Sequence, residues 1–162
     1  MMSRRIIGAK KVSDLCAALL AGLFAYAALS KLLNYEQSRK EMLNQVFPDE
    51  MALTLTWLVP ILELLLTAML LWNGIRKLSF LFSLALLSMF SIYIAVSMTG
   101  VFGRIPCSCG GLLGRMSYGI HLVFNLFFIL ISWLGLMASQ QINNGKIPEH
   151  HTKRKEEQAQ KA

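Results

Sequence analysis

The chain has 162 residues, of which 55% are hydrophobic, and its formal net charge is +7. Charged residues are concentrated at the two ends and in short segments between apolar runs, which is typical of a membrane protein and excludes a soluble core. Spanning a hydrocarbon layer of roughly 30 Å takes about 20 apolar helical residues, so four such runs would use nearly the whole chain. The basic residues flank these runs, which favours contacts with anionic lipid and argues against nucleic acid as a partner.

Four apolar runs are each long enough to span a bilayer. They extend from Leu15 to about Leu33, from about Met51 to Trp72, from Leu78 to about Phe102 and from about Tyr118 to Met137. The pattern predicts an all-α membrane protein, a bundle of four transmembrane helices that occupies residues 13–139. It follows a basic N-terminal segment, residues 1–12, and precedes a polar and basic tail, residues 140–162, which we expect to be disordered beyond Pro148.

The distribution of Lys and Arg predicts the orientation, because cytoplasmic segments carry the excess of basic residues. The N-terminus, the Gly74–Lys77 joint and the C-terminal tail hold eleven of the sixteen Lys and Arg residues. Both termini are therefore predicted to be cytoplasmic. The segments Asn34–Glu50 and Gly103–Ser117 are then predicted to lie on the outer face of a bacterial inner membrane.

An alternative for the first run is a signal peptide. Lys10 and Lys11 precede an apolar stretch that reaches Ala25-Tyr26-Ala27, which is similar to a cleavage site with small residues. The apolar run continues past this point, which favours a transmembrane helix. Cleavage would leave three helices, but Arg76 and Lys77 would still hold the second joint inside, so Cys107 and Cys109 would be outside in either case.

The segment between the third and fourth runs contains Gly103-Arg104-Ile105-Pro106-Cys107-Ser108-Cys109-Gly110-Gly111. Gly and Pro break helices, so this sequence predicts two thiols displayed on a loop at the membrane surface. In an oxidising compartment such neighbours form a disulfide, and a ring closed across one residue is strained, which makes it labile to exchange. Arg104 and Arg115 favour the thiolate.

Two other interpretations of the cysteine pair remain open. The pair could be a structural clip for the loop, or it could hold Cu(I) together with His121 and Met116, although these further ligands are few and we expect no metal. Cys16 lies at the opposite end of the first helix and is too distant to resolve a disulfide of the pair. We expect Cys16 to act as a small buried hydrophobe.

Polar residues also occur inside the predicted helices. Ser117, His121 and Asn125 recur every four residues and share one helix face. This face serves either interhelical packing or proton transfer between His121 and the thiols. Glu63 lies near the middle of the second helix, one turn after Pro60, where a carboxylate must be paired, protonated or inside a cavity. Lys31 is its expected partner, and Glu63 belongs either to packing or to a proton or quinone site.

The combination of these residues resembles the redox-associated membrane proteins of the MauE and DoxX type, specifically the methylamine-utilisation MauE branch. The resemblance covers roughly residues 10–140. It is carried by Ala28-Leu29-Ser30-Lys31-Leu32, by Val59-Pro60-Ile61-Leu62-Glu63, by the Cys107–Gly111 stretch and by His121 with Asn125. The chain has Gly110-Gly111 after the cysteine pair, where the family pattern has Phe-Gly.

The resemblance implies a four-helix membrane domain that supports disulfide formation or thiol–disulfide electron transfer, often beside a thioredoxin-like partner. Members of the branch are associated with maturation of a disulfide-rich periplasmic dehydrogenase subunit. The leading hypothesis is therefore a membrane redox component with Cys107 and Cys109 as the exchanging thiols and quinone as a candidate electron carrier. The rivals are a membrane scaffold without enzymatic activity and a protein that handles Cu(I) or a small solute.

Overall fold

The computed structural model describes the backbone of residues 2–45, 48–99 and 118–160, and the side chains of residues 6–45, 48–99 and 119–142. All regular structure in these ranges is helical, and four helices are long and apolar enough to cross a membrane. This confirms the predicted four-helix membrane bundle. The elements are α1 (Met2–Leu33), α2 (Tyr35–Leu43), α3 (Asp49–Leu71), α4 (Arg76–Met98) and α5 (Tyr118–Gln160), with a single 3₁₀ turn (Asn73–Ile75) before α4.

The long helices run alternately up and down. α1 packs against α3 and α5, and α4 packs mainly against α5. We call the side of the bundle that holds the start of α1 and the α3–α4 joint the termini side. The opposite side, where α3 and α5 begin and α4 ends, is the loop side.

The connection between α1 and α3, predicted as a loop, contains the additional helix α2. Its nine residues include neither Gly nor Pro, and Glu36 in the first turn and Lys40 in the last turn complement the helix dipole. The break from α1 falls at Asn34, where φ is −110° and ψ is 47°. α2 then lies along α3, with the Tyr35 and Trp57 ring centroids 5.1 Å apart.

The core on the termini side is apolar, and we call it the apolar layer. Its members come from α1, α3, α4 and α5 and are buried together: Cys16, Ala17, Leu20, Ala21, Phe24, Leu66, Leu70, Phe80, Leu87 and Ile131. The expectation that Cys16 acts as a small buried hydrophobe is confirmed by this position, because its side chain is only 7% exposed.

Small residues allow α4 and α5 to approach closely. A Cβ atom on Gly135 would lie 2.4 Å from the Phe80 ring, so only glycine fits at this contact. The Ser132 hydroxyl donates a hydrogen bond of 2.9 Å to the Phe80 carbonyl. Along α4, Ser79, Ser83 and Ser91 are buried, and each donates to the carbonyl four residues earlier, which satisfies the hydroxyl within its own helix.

Two helices extend beyond their apolar runs. α1 begins at Met2, because the basic N-terminal residues continue the helix ahead of the run that starts at Leu15. α5 continues through Pro148 to Gln160, although we expected disorder there. The sequence after Pro148 is rich in Glu, Lys, Arg, Gln and Ala, which have high helix propensity. The predicted end of the third span near Phe102 lies outside the described residues.

Candidate functional site

Lys31 and Glu63 form an ion pair across the α1–α3 interface. The distance between Lys31 Nζ and Glu63 Oε1 is 2.7 Å, and the side chains are 15% and 5% exposed. Lys31 lies in the last turn of α1, whereas Glu63 lies fourteen residues after the start of α3 at Asp49, about 21 Å along the helix. α1 thus ends beside the middle of α3, and the predicted pairing of Lys31 with Glu63 is confirmed.

The pair satisfies only one carboxylate oxygen. Oε2 of Glu63 is buried and has no hydrogen-bond partner among the described residues. An unpaired oxygen of a buried carboxylate is costly, because no water replaces the lost hydrogen bonds. A proton bound to Oε2, or a hydrogen-bond donor placed next to it, would therefore stabilise the pair more than one at Oε1.

The turns of α3 around Glu63 contain a proline and two threonines whose hydroxyls bond to backbone carbonyls. Pro60, one turn earlier, has no N–H and so cannot bond to the carbonyl of Thr56. The hydroxyl of Thr56 donates to the carbonyl of Ala52 at 2.8 Å, and that of Thr67 donates to the carbonyl of Glu63 at 2.9 Å. Pro60 and Thr56 are both buried, so α3 presents these groups to the bundle interior.

His121 lies close enough to the ammonium group of Lys31 to feel its charge. The imidazole is partly buried, and it lies only three residues after the start of α5 at Tyr118. Lys31, Glu63 and His121 lie on three different helices, α1, α3 and α5, of which α1 packs against the other two, and we call these residues the polar layer. In each helix the polar-layer residue lies on the loop side of that helix's residues in the apolar layer.

Asn125 follows His121 by one turn and is 6% exposed. Its burial agrees with the predicted face of α5 that carries His121 and Asn125, and its place between His121 and Ile131 puts it at the boundary of the polar and apolar layers. Ser117, at the start of this face, lies outside the described residues.

The cysteine pair also lies outside the described residues. Cys107, Cys109, Arg104 and Arg115 belong to residues 100–117, so the disulfide and the effect of the arginines stay predictions. α5 begins at Tyr118, directly after this stretch of the sequence and within one turn of His121.

Two polar contacts were missed by the sequence analysis. The Tyr93 hydroxyl donates to Oε1 of Gln45, which links the α2–α3 connection to α4, and Gln45 is only 2% exposed. Arg76 pairs with Asp14 between α4 and α1 on the termini side. A tyrosine hydroxyl inside an apolar run is a signal for the first contact. The pair of Arg76 with Asp14 was missed because Asp14 follows a basic cluster that we interpreted only as a signal for the orientation of the chain in the membrane.

The fold and these contacts define a multi-pass membrane protein with four helices that are long and apolar enough to cross the membrane. Comparison with protein families identifies it further: the model of the methylamine utilisation protein MauE matches residues 9–138. The chain belongs to the MauE family, which confirms the resemblance derived from its sequence. In the other comparisons, no curated protein and no solved structure matches the chain.

Proposed function

We propose that this protein is a membrane redox component in which Cys107 and Cys109 alternate between dithiol and disulfide. The observation that carries the proposal is the polar layer. An ion pair with one buried, unpaired carboxylate oxygen joins α1 to α3, and the partly buried His121 lies near the start of α5, which also packs on α1 and follows the cysteine segment in the sequence. Ionisable residues inside a membrane are costly, which makes them candidates for function.

The exchange partner is an outward-facing thioredoxin-fold protein of the cell envelope. This requires the loop side to face out of a bacterial inner membrane. The basic residues support that orientation, because Lys10, Lys11, Arg76 and Lys77 lie on the termini side. On the loop side, Arg39 and Lys40 are balanced by acidic residues of α2 and of the start of α3.

The exchange balances without a further reactant. A thiolate of the partner attacks one sulfur of the Cys107–Cys109 disulfide, and a mixed disulfide forms as the other cysteine leaves as thiolate. The second thiolate of the partner then attacks the mixed disulfide and releases the reduced pair. The partner loses two electrons and two protons, and Cys107 and Cys109 gain them. The reverse exchange follows the same steps.

The polar layer supplies and accepts the protons. His121 is the proton-transfer group that serves the thiols in this proposal, since imidazole exchanges protons near neutral pH. Glu63 binds a second proton at Oε2, while Lys31 holds Oε1 and fixes the orientation of the carboxyl group. A lipid-soluble quinone is the candidate acceptor for the dithiol, because its reduction to quinol would take up the two electrons and two protons that are released when the disulfide forms again.

The family name suggests the physiological setting. The matching family is that of a methylamine utilisation protein. The recipient of disulfides to test first is therefore a disulfide-rich subunit of a periplasmic dehydrogenase.

Trapping of the mixed disulfide tests the proposal. In the Cys109→Ala variant the Cys107 thiolate can attack the disulfide of an oxidised partner, as in the reverse exchange, but Cys109 is missing and cannot resolve the mixed disulfide. The partner should therefore stay attached and be identified by mass spectrometry after alkylation. The Cys16→Ala variant should trap nothing, because it keeps both exchanging thiols and loses only a thiol of the apolar layer. Absence of any thioredoxin-fold adduct, together with normal envelope disulfide formation in a Cys107→Ser, Cys109→Ser double variant, would contradict the redox role.

A membrane scaffold is the second candidate. The observation in its favour is that Oε1 of Glu63 is already bound to Lys31, which joins α1 to α3 without any chemistry. In this case the cysteine pair only closes a loop. The double serine variant would then lower the amount of folded protein and leave the rate of thiol exchange in the envelope unchanged.

A further inference from the structure

A groove opens between α4 and α5 on the termini side, away from the polar layer. Its volume is about 530 Å³, within the range of roughly 300–1,000 Å³ that is common for ligand sites. Aliphatic side chains form most of its lining, and two polar side chains complete it. The lining side chains are Ile75, Leu78, Leu81, Leu136, Lys77 and Gln140.

The groove begins at the depth of the membrane interface. It starts at the α3–α4 joint, where Trp72 is 71% exposed and its indole lies against Gly74, another residue of the lining. Exposed tryptophans favour the head-group level of a bilayer. From this joint, Leu78 and Leu81 extend along α4 toward the hydrocarbon region, and both are exposed. The groove is therefore polar at the interface and apolar further in.

The charge at the polar end of the groove is positive. The first turn of α4 holds Arg76 and Lys77, with no acidic residue and no side-chain cap. Arg76 is already paired with Asp14, which leaves Lys77 as the cation of the groove, exposed and with no ion pair among the described residues. A bound molecule that complements this groove has an anionic group beside Lys77 and an apolar chain along the leucines.

We propose that the groove binds one anionic phospholipid. The phosphate lies at Lys77 with the Gln140 amide beside it, and an acyl chain lies along Leu78, Leu81 and Leu136. A zwitterionic lipid fits the apolar part equally well but adds a positive head group next to Lys77, so the net negative lipid is favoured. The site is on the opposite side of the apolar layer from Glu63 and does not depend on the redox proposal.

Native mass spectrometry of the purified full chain in detergent tests this inference. Phosphatidylglycerol and phosphatidylcholine are titrated separately, and the fraction of protein with one bound lipid is measured. The Lys77→Gln variant should bind phosphatidylglycerol about five-fold more weakly, as expected for one basic side chain near a lipid surface, with phosphatidylcholine binding unchanged. The Leu81→Trp variant, which fills an exposed part of the groove, should weaken binding of both lipids.

The matched control is Lys11→Gln, because Lys11 is exposed on the same side of the bundle but does not line the groove. This variant should bind phosphatidylglycerol as the original chain does. Equal losses in Lys11→Gln and Lys77→Gln would show a general surface charge effect and overturn the site. Unchanged binding in both groove variants would overturn it as well. Displacement of the lipid by millimolar glycerol phosphate would assign the groove to a soluble phosphate and would also contradict the proposal.

Discussion

The apolar and polar layers divide the same bundle into regions with different requirements. In the apolar layer, α4 and α5 meet through Gly135, Ser132 and Phe80, and the contacts depend on shape. In the polar layer, α1 and α3 meet through the Lys31–Glu63 ion pair, and α5 contributes His121, so its side chains can carry charge and exchange protons. Ionisable residues inside a membrane span are costly, so the polar layer is the candidate region for function and the apolar layer the region that packing alone explains.

The largest expected effect comes from removal of the cation in the polar layer. Lys31→Met leaves the Glu63 carboxylate buried without a counter-charge, which should cost about 3–5 kcal/mol of stability. The melting temperature of the purified protein in detergent should fall accordingly. The double variant with Lys31→Met and Glu63→Leu removes both charges and should recover most of the loss. Equal melting of the original chain and the Lys31→Met variant would mean that the pair is not buried in the membrane.

The second prediction separates chemistry from packing in the polar layer. Glu63→Gln keeps the shape of the side chain and removes the titrating group, so the amount of folded protein should stay near normal. The rate of thiol exchange should fall by about 100-fold or more, which is the usual contribution of a positioned acid or base. The measurement is stopped-flow reduction of the purified protein, followed by alkylation and the mass shift of the cysteine pair.

His121→Ala gives the companion measurement. The exchange rate should fall, whereas the equilibrium between disulfide and dithiol in a glutathione buffer should move much less, because a proton-transfer group acts on the barrier. The matched control is Asn125→Ala, one turn away on α5, which should change stability more than rate. If both Glu63→Gln and His121→Ala exchange at the original rate, the polar layer serves only to hold the helices together.

The sequence predicted the bundle because the four apolar runs are long and the bilayer leaves few alternatives to helices. It also predicted Lys31 as the partner of Glu63, since few cations lie within a span. The α2 helix was not predicted because its residues are polar and have the composition of a solvated connection. The contact between Tyr93 and Gln45 depends on how that connection folds back onto α4, and no local pattern in either segment encodes this.

The third prediction concerns the apolar layer. Gly135→Ala places a methyl group against the Phe80 ring, which must move, so we expect a loss of about 1–3 kcal/mol from overpacking. Gly22→Ala is the matched control, because a Cβ at Gly22 has no atom within 4 Å, and its stability should be unchanged or slightly raised. The rate of thiol exchange should be the same in both folded variants. A slower rate in Gly135→Ala would show that the two layers are coupled.

The smallest effect is expected on the loop side of the polar layer, where Tyr93 binds Gln45. Tyr93→Phe removes the hydroxyl that donates to Oε1 of Gln45, and one such hydrogen bond contributes about 1 kcal/mol. Because Gln45 lies in the α2–α3 connection, the loss should appear as faster proteolysis of that connection and a small fall in melting temperature. Tyr26→Phe is the matched control, since Tyr26 is exposed on α1, and it should change neither measurement. If the two variants are cleaved equally fast, the bond to Tyr93 does not hold the connection, and other contacts, such as the packing of α2 on α3, order the loop side of the bundle.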